Sequence, residues 1–143
     1  MSKDGLASDS GVTDVTLSSL HVFKQNSGKL SSVTFGEEIP WEIARVFFIS
    51  VDDPETRGDH AHIRCNQAFI CTMGSVRIVC KDGVNEKSFT LDALQQLLIV
   101  PAGIWVNLNM EEHSSVAVLT DLPYDEHDYL RSWQEYEAFR KKS

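Results

Sequence analysis

From Leu20 onward the chain alternates short apolar runs with clusters of Gly, Pro, Asn, Asp and Ser. Leu20-His21-Val22-Phe23 comes first, followed by a turn at Asn26-Ser27-Gly28, then Leu30 to Phe35 and Ile43 to Val51. Asp52-Asp53-Pro54 turns the chain into Arg57-Gly58-Asp59-His60-Ala61-His62. Gln67 to Met73 and Val76 to Cys80 flank Gly74-Ser75, Lys81-Asp82-Gly83 is a tight turn, and Lys87 to Leu91 pairs onward. Leu97 to Val100, Ile104 to Leu108 and Val116 to Leu119 complete the series. Runs of this length bounded by turn formers predict strands. Roughly ten of them with no long helix between predict an all-β sandwich or barrel of the antiparallel jelly-roll type.

The two ends differ from this pattern. Residues 1–14 are rich in Ser, Gly and Asp and predict a flexible N-terminus, leaving 15–143 as a single domain. Between Asp125 and Lys142 the spacing of Tyr129, Leu130, Trp133, Tyr136 and Phe139 fits a helical period. It predicts a short C-terminal helix whose aromatic stripe packs on the sheet or on a partner subunit.

Length and charge narrow the function. A chain of 143 residues buries a core without staples. No apolar run is long enough for a membrane span, and the start lacks the basic-then-apolar pattern of a signal peptide, so a cytoplasmic protein is expected. Cys65, Cys71 and Cys80 form no Cys-x-x-Cys pair and read as reduced thiols. The net charge of −8 argues against a nucleic-acid groove. An anionic small molecule is still compatible, because a few arginines hold a phosphate inside an acidic protein, and Arg45 and Arg57 are the candidates.

The most informative stretch is His60-Ala61-His62. Alternate side chains of a strand share a face, so both imidazoles point one way and Ala61 points into the packing. An imidazole pair suits either metal binding or proton transfer near neutral pH.

Gly58, His-x-His, Gly74 and then Pro101-Ala102-Gly103 resemble the two-part signature of the cupin superfamily (RmlC-like jelly rolls). Metal-binding cupins add a Glu after the His pair and a His after Pro-x-Gly. This chain has Gln67 and Val106 at those places; a neutral amide is a poor ligand and Val is none, so no metal is expected and the imidazoles are left to move protons. Within that superfamily, Arg45-Val46-Phe47-Phe48-Ile49, Arg57-Gly58-Asp59-His60-Ala61-His62, Gln67, Gly74-Ser75-Val76, Val100-Pro101-Ala102-Gly103-Ile104-Trp105 and Tyr124-Asp125-Glu126-x-Asp128-Tyr129-x-Arg131 resemble the WxcM-like (FdtA-type) cupins. The likeness runs from about Val22 onward.

That resemblance implies a nucleotide-sugar 3,4-ketoisomerase acting on dTDP-4-keto-6-deoxyglucose, on the way to amino sugars of surface polysaccharides such as O-antigen and of natural products. It implies no cofactor: a base removes the acidified proton at C3 to give an enediol, and protonation at C4 yields the 3-keto sugar. His62 takes the base role and His60 that of partner or shuttle. Arg45 and Arg57 face the pyrophosphate, and Ser27, Phe47, Gln67, Trp105, Val106 and Asn107 face the rest of the substrate. A homodimer, with N-terminal strands exchanged between subunits, is implied as well. The sequence departs from the family where Phe47 and Phe48 stand for tyrosines, where Val106 stands for His or Arg, and where Ser27 stands for a larger residue. Three other readings stay open at this stage: an isomerase or epimerase of a different nucleotide sugar, a non-catalytic sugar-nucleotide-binding cupin, and a metal-dependent cupin drawing on His21, His113 or His127.

Overall fold

A computed structural model describes residues 7–92 and 94–141. Among them are β1 (Thr16–Ser19), β2 (Phe23–Gln25), β3 (Gly28–Leu30), β4 (Arg45–Ser50), β5 (Glu55–His62) and β6 (Gln67–Met73). β7 (Ser75–Lys81), β8 (Glu86–Asp92), β9 (Gln96–Val100), β10 (Trp105–Met110), β11 (Ser115–Thr120), β12 (Tyr129–Leu130) and the helix α1 (Trp133–Arg140) follow. The strands form two five-stranded sheets, ordered β1-β9-β6-β11-β4 and β12-β5-β10-β7-β8, with β2-β3 as a separate hairpin. Every ladder is antiparallel, giving the jelly roll expected from the sequence. No described helix is long and apolar enough to cross a membrane.

The facing sides of the two sheets share one core. Phe69, Cys71, Val116 and Val118 come from the first sheet and Val76, Ile78, Val106 and Leu108 from the second. Alternation selects them: Val76, Ile78 and Cys80 of β7 are fully buried while Arg77 is exposed. Burying each aliphatic side chain contributes about 1.5–3 kcal/mol, which sets the register of every strand that carries them. Cys65, Cys71 and Cys80 are all buried.

Four expectations need correction. Leu20 to Val22 is not strand: β1 ends at Ser19, β2 begins only at Phe23, and Leu20 is buried against Ala68, Leu97 and Leu119. The stretch from Leu30 to Phe35 leaves β3 at once, because Val33, Ile39, Trp41 and Ile43 cover the outer face of the first sheet instead of pairing. The helix expected from Asp125 begins only at Trp133, capped by Ser132 Oγ, which accepts from the Glu135 amide at 3.3 Å. Upstream, Asp125 caps a 3-10 turn over Glu126–Asp128, and Tyr129–Leu130 add to the edge of β5. Lys142 lies outside the described residues.

The stretch expected to be flexible through residue 14 is held over its described part, residues 7–14. It forms two 3-10 turns, Ala7–Asp9 and Val12–Asp14. Val12 is buried and its amide donates to Asp82 Oδ2 at 2.9 Å, while Ser10 Oγ donates to the Ala102 carbonyl at 2.9 Å. Gly103, at φ +91°, lets this segment lie close: a Cβ there would overlap the Ala7 carbonyl.

Candidate active site

One irregularity in β5 organises the site. Across the ladder to β10, Val106 pairs with His60 but Asn107 pairs with Gly58, so Asp59 is an extra residue in β5. Gly58 and Asp59 hold φ of +88° and +64°, and a Cβ on Gly58 would lie 3.0 Å from Leu108 Cδ1 and 3.1 Å from the Val106 carbonyl. The insertion resets the alternation. Arg57 stands opposite Leu108 and Glu55 opposite Met110, on the inner face that His60 shares with Val106. In a regular strand Arg57, three residues before His60, would face outward.

The inner face of β5, with β4 across from it, walls a cavity of about 570 Å³. Arg45, Phe47, Arg57, His60, Gln67 and Val106, all expected at the site, line it. His62 lies one layer deeper and is 5% exposed; its ring is covered by those of His60, at 5.1 Å between centroids, and Tyr129, at 4.3 Å.

Behind His62 sits Asp128, which the sequence reading had given no role. Its Oδ2 lies 3.0 Å from His62 Nδ1 and accepts the Cys65 amide at 3.2 Å, while Oδ1 accepts the Arg64 amide at 2.7 Å. A carboxylate already facing two N–H donors accepts a third from Nδ1, which assigns the proton to Nδ1 and leaves Nε2 with its lone pair. His62 Nε2 and His60 Nδ1 are both buried without a hydrogen-bond partner in the protein. Burial lowers the pKa of His60 to about 4, assisted by His62 beside it. Burial also lowers His62, with the Asp128 hydrogen bond opposing it. Both imidazoles are therefore neutral at pH 7 and able to accept a proton.

The cavity mouth is cationic and less fixed. Arg57 Nη1 pairs with Glu55 Oε2 at 3.0 Å, both about half exposed. Arg131 lines the cavity too; it binds Glu126 through Nε at 2.8 Å and Nη2 at 2.9 Å and lies 4.2 Å over the Tyr129 ring. Arg45 lies 4.4 Å over Phe47 and 5.2 Å from the Tyr124 ring.

Three expected residues fall elsewhere. Trp105 and Asn107 alternate with Val106 and Leu108, so they face away from the cavity, and both donate to Asp59 Oδ1, at 3.3 and 3.1 Å. Trp105 packs on Trp133 and Tyr136. Ser27 is exposed at the turn of the β2-β3 hairpin and lines no part of the cavity. His21, which meets Phe23 edge to face, and His113 and His127, both on exposed turns, are also absent from the wall. At the place where a cupin metal is held, the wall offers the Gln67 amide and the Val106 methyls, which do not complete a ligand set.

Asp128, Tyr129 and Arg131 are the site residues missed by alternation and motif spacing. Their signal was the acidic stretch Asp125-Glu126-His127-Asp128 running into Tyr129 and Arg131, which a helical reading absorbed.

Comparison with known proteins identifies the family. The family model FdtA, described as WxcM-like, C-terminal, matches residues 13–141. The TDP-4-oxo-6-deoxy-alpha-D-glucose-3,4-oxoisomerase of Aneurinibacillus thermoaerophilus is 33% identical over 119 residues, 80% of this chain and 84% of that protein. The crystal structure of QdtA, a sugar 3,4-ketoisomerase from Thermoanaerobacterium thermosaccharolyticum in complex with TDP, superposes with a TM-score of 0.85 at 32% identity, over 92% of this chain and 97% of that one. A His-to-Asn variant of QdtA in complex with TDP-4-keto-6-deoxyglucose matches with a TM-score of 0.85 at 31% identity, over 92% and 96%. A 3,4-ketoisomerase from Helicobacter canadensis matches with a TM-score of 0.86 at 30% identity, over 90% and 98%.

Proposed function

The chain belongs to the WxcM-like FdtA family and is a sugar-nucleotide 3,4-ketoisomerase, and we propose that it acts on TDP-4-keto-6-deoxyglucose by metal-independent proton transfer at His60 and His62. The observation that carries this mechanism is the His62–Asp128 pair. The 3.0 Å contact fixes the neutral tautomer with a bare Nε2, which is the state a general base needs.

The C4 carbonyl acidifies the neighbouring C3 proton. Its removal leaves an enediol, and return of a proton to C4 gives the 3-keto sugar with no net redox change. His62 is the base and His60, on the cavity wall, its shuttle. A second reading has one observation behind it: His60 lines the cavity and His62 does not. On that reading His60 meets C3 directly and the His62–Asp128 pair receives the proton from it. Arg45, Arg57 and Arg131 hold the pyrophosphate at the mouth, which keeps the hexose over the imidazoles.

The enzyme works as a cytoplasmic homodimer on this proposal. Exposed apolar side chains on the hairpin (Phe23, Leu30) and on edge strand β4 (Val46, Phe48) support it, since a lone subunit leaves them in water. A monomeric mass in light scattering would contradict it.

Proton NMR of TDP-4-keto-6-deoxyglucose in D2O tests the chemistry. The wild type yields 3-keto signals with deuterium entering at C3 or C4. Loss of both turnover and exchange in His62→Asn supports His62 as base. Residual C3 exchange there, with none in His60→Asn, supports the second reading; no exchange in the wild type overturns both.

A further inference from the structure

The back of His62 carries a second arrangement. His62, Cys65 and Asp128 bring a ring nitrogen, a thiol sulfur and a carboxylate oxygen within 4.8 Å of one another, and all three residues are buried. His62 ends β5, Cys65 follows three residues later, and Asp128 arrives from the 3-10 turn beyond β11. A void of about 10 Å³ lies against all three. It shares Leu122, Tyr124, Asp125 and Asp128 with an open cleft of about 350 Å³, which has no lining residue in common with the sugar cavity. The void also touches Arg45 and Tyr129 of the sugar-cavity wall, so the cleft gives the three donors a second approach from outside, beside the substrate's.

From this geometry we infer that a soft divalent cation of the Zn2+ class binds at His62 Nδ1, Cys65 Sγ and Asp128 Oδ2 and switches the enzyme off. Imidazole, thiolate and carboxylate form a zinc ligand set, with bonds of about 2.0–2.3 Å that leave a fourth position to water. Tetrahedral ligands at those lengths stand roughly 3.3–3.7 Å apart, so binding draws in donors that already lie within 4.8 Å, by a turn of the Cys65 side chain, and replaces the His62–Asp128 hydrogen bond. That turn gives up the Cys65 Sγ contact to the Asn66 carbonyl, at 3.4 Å, and its interactions with the Leu122 backbone and the Asp121 side chain.

Charge and protons balance. The thiol releases its proton to solvent as the metal–sulfur bond forms, and the two anionic ligands neutralise the dication. The metal takes the lone pair that Nδ1 exposes once its own proton has left, and a neutral imidazole keeps that proton on Nε2. The lone pair needed for proton transfer is then gone, although the metal never enters the sugar cavity. The switch-off rests on the proton-transfer role proposed for His62 above; the binding does not.

Co2+ titration of the purified full chain tests the binding. One equivalent gives thiolate-to-cobalt charge-transfer absorption in the near ultraviolet, and Cys65→Ser lacks it although Cys71 and Cys80 remain. In turnover assays excess Zn2+ lowers the wild-type rate by about tenfold or more, reversibly with EDTA, while Cys65→Ser keeps its basal rate and loses less than about twofold. No charge-transfer band, or one that survives in Cys65→Ser, overturns the site. A band lost in Cys65→Ser with wild-type turnover indifferent to Zn2+ upholds the site and overturns the switch, removing His62 Nε2 from the proton path.

Discussion

The deep end and the mouth of the cavity are built on opposite principles. At the deep end, His62 and Asp128 are 5% and 4% exposed, and Asp128 is satisfied by two backbone amides and an imidazole. At the mouth, Arg57 and Arg131 hold exposed carboxylates of Glu55 and Glu126 in ion pairs that water competes for. Burial at the deep end removes solvent, lowers the imidazole pKa values and fixes one tautomer, which proton transfer requires. On the mechanism proposed above, exposure at the mouth leaves the guanidinium groups able to exchange a carboxylate partner for a diphosphate. On that proposal the buried end serves the chemistry and the exposed end serves capture.

Asp128→Asn should break the comparison most severely. It replaces an acceptor by a group that can present N–H to Nδ1 and so favours the wrong tautomer; kcat is expected to fall by about 10²- to 10⁴-fold. Steady-state kinetics with KM nearly unchanged would bear this out, and a loss under about threefold would show that the carboxylate does not orient His62.

Acid should weaken the deep end next. His60 binds its proton near pH 4 in the folded chain and near 6.5 once unfolded. Between those values the unfolded state takes up the extra proton, so stability is full above about pH 6.5, falls as pH drops toward 4, and is flat below. The loss is on the order of 3 kcal/mol. Denaturant midpoints measured across this window check it, and His60→Asn should flatten the slope.

Gly58→Ala strikes the hinge between the two regions. A methyl at φ +88° with 3.0–3.1 Å contacts costs about 1–3 kcal/mol and disturbs the face on which Arg57 stands. Thermal unfolding reads the cost; an unchanged Tm would mean that the insertion is not held by this glycine.

Arg57→Ala is the mildest change, acting only on capture. KM should rise by about tenfold with kcat nearly constant, and the difference should shrink in high salt because the group is exposed. A fall in kcat without a rise in KM would place Arg57 with the chemistry instead.

Much was legible without coordinates, for physical reasons. Alternation along β4 and β8 follows from burial on one face, while β6 and β11, covered on both faces, read as continuous apolar runs, so the existence of these strands was readable. The pairing of His60 with His62 on one face depends only on a strand period of two. The missed parts depend on long-range pairing. The edge of β5 offered unpaired backbone groups to Tyr129 and Leu130, and that turned an aromatic stripe of helical spacing into a strand and a 3-10 turn ahead of α1. The family resemblance placed Trp105 and Asn107 against the substrate, yet the partners of β10 send Val106 and Leu108 inward and these two outward.

By itself, then, the sequence determined an all-β jelly roll, two imidazoles on one strand face and the absence of a full cupin ligand set, because each follows from local period or residue chemistry. Only the tertiary structure decided that Asp59 is an extra residue and that Arg57 consequently faces the cavity. It also decided that a carboxylate 66 residues away in the chain sets the tautomer of His62. A bulge is visible only against the strand it fails to match, and a tautomer only against the acceptor that fixes it.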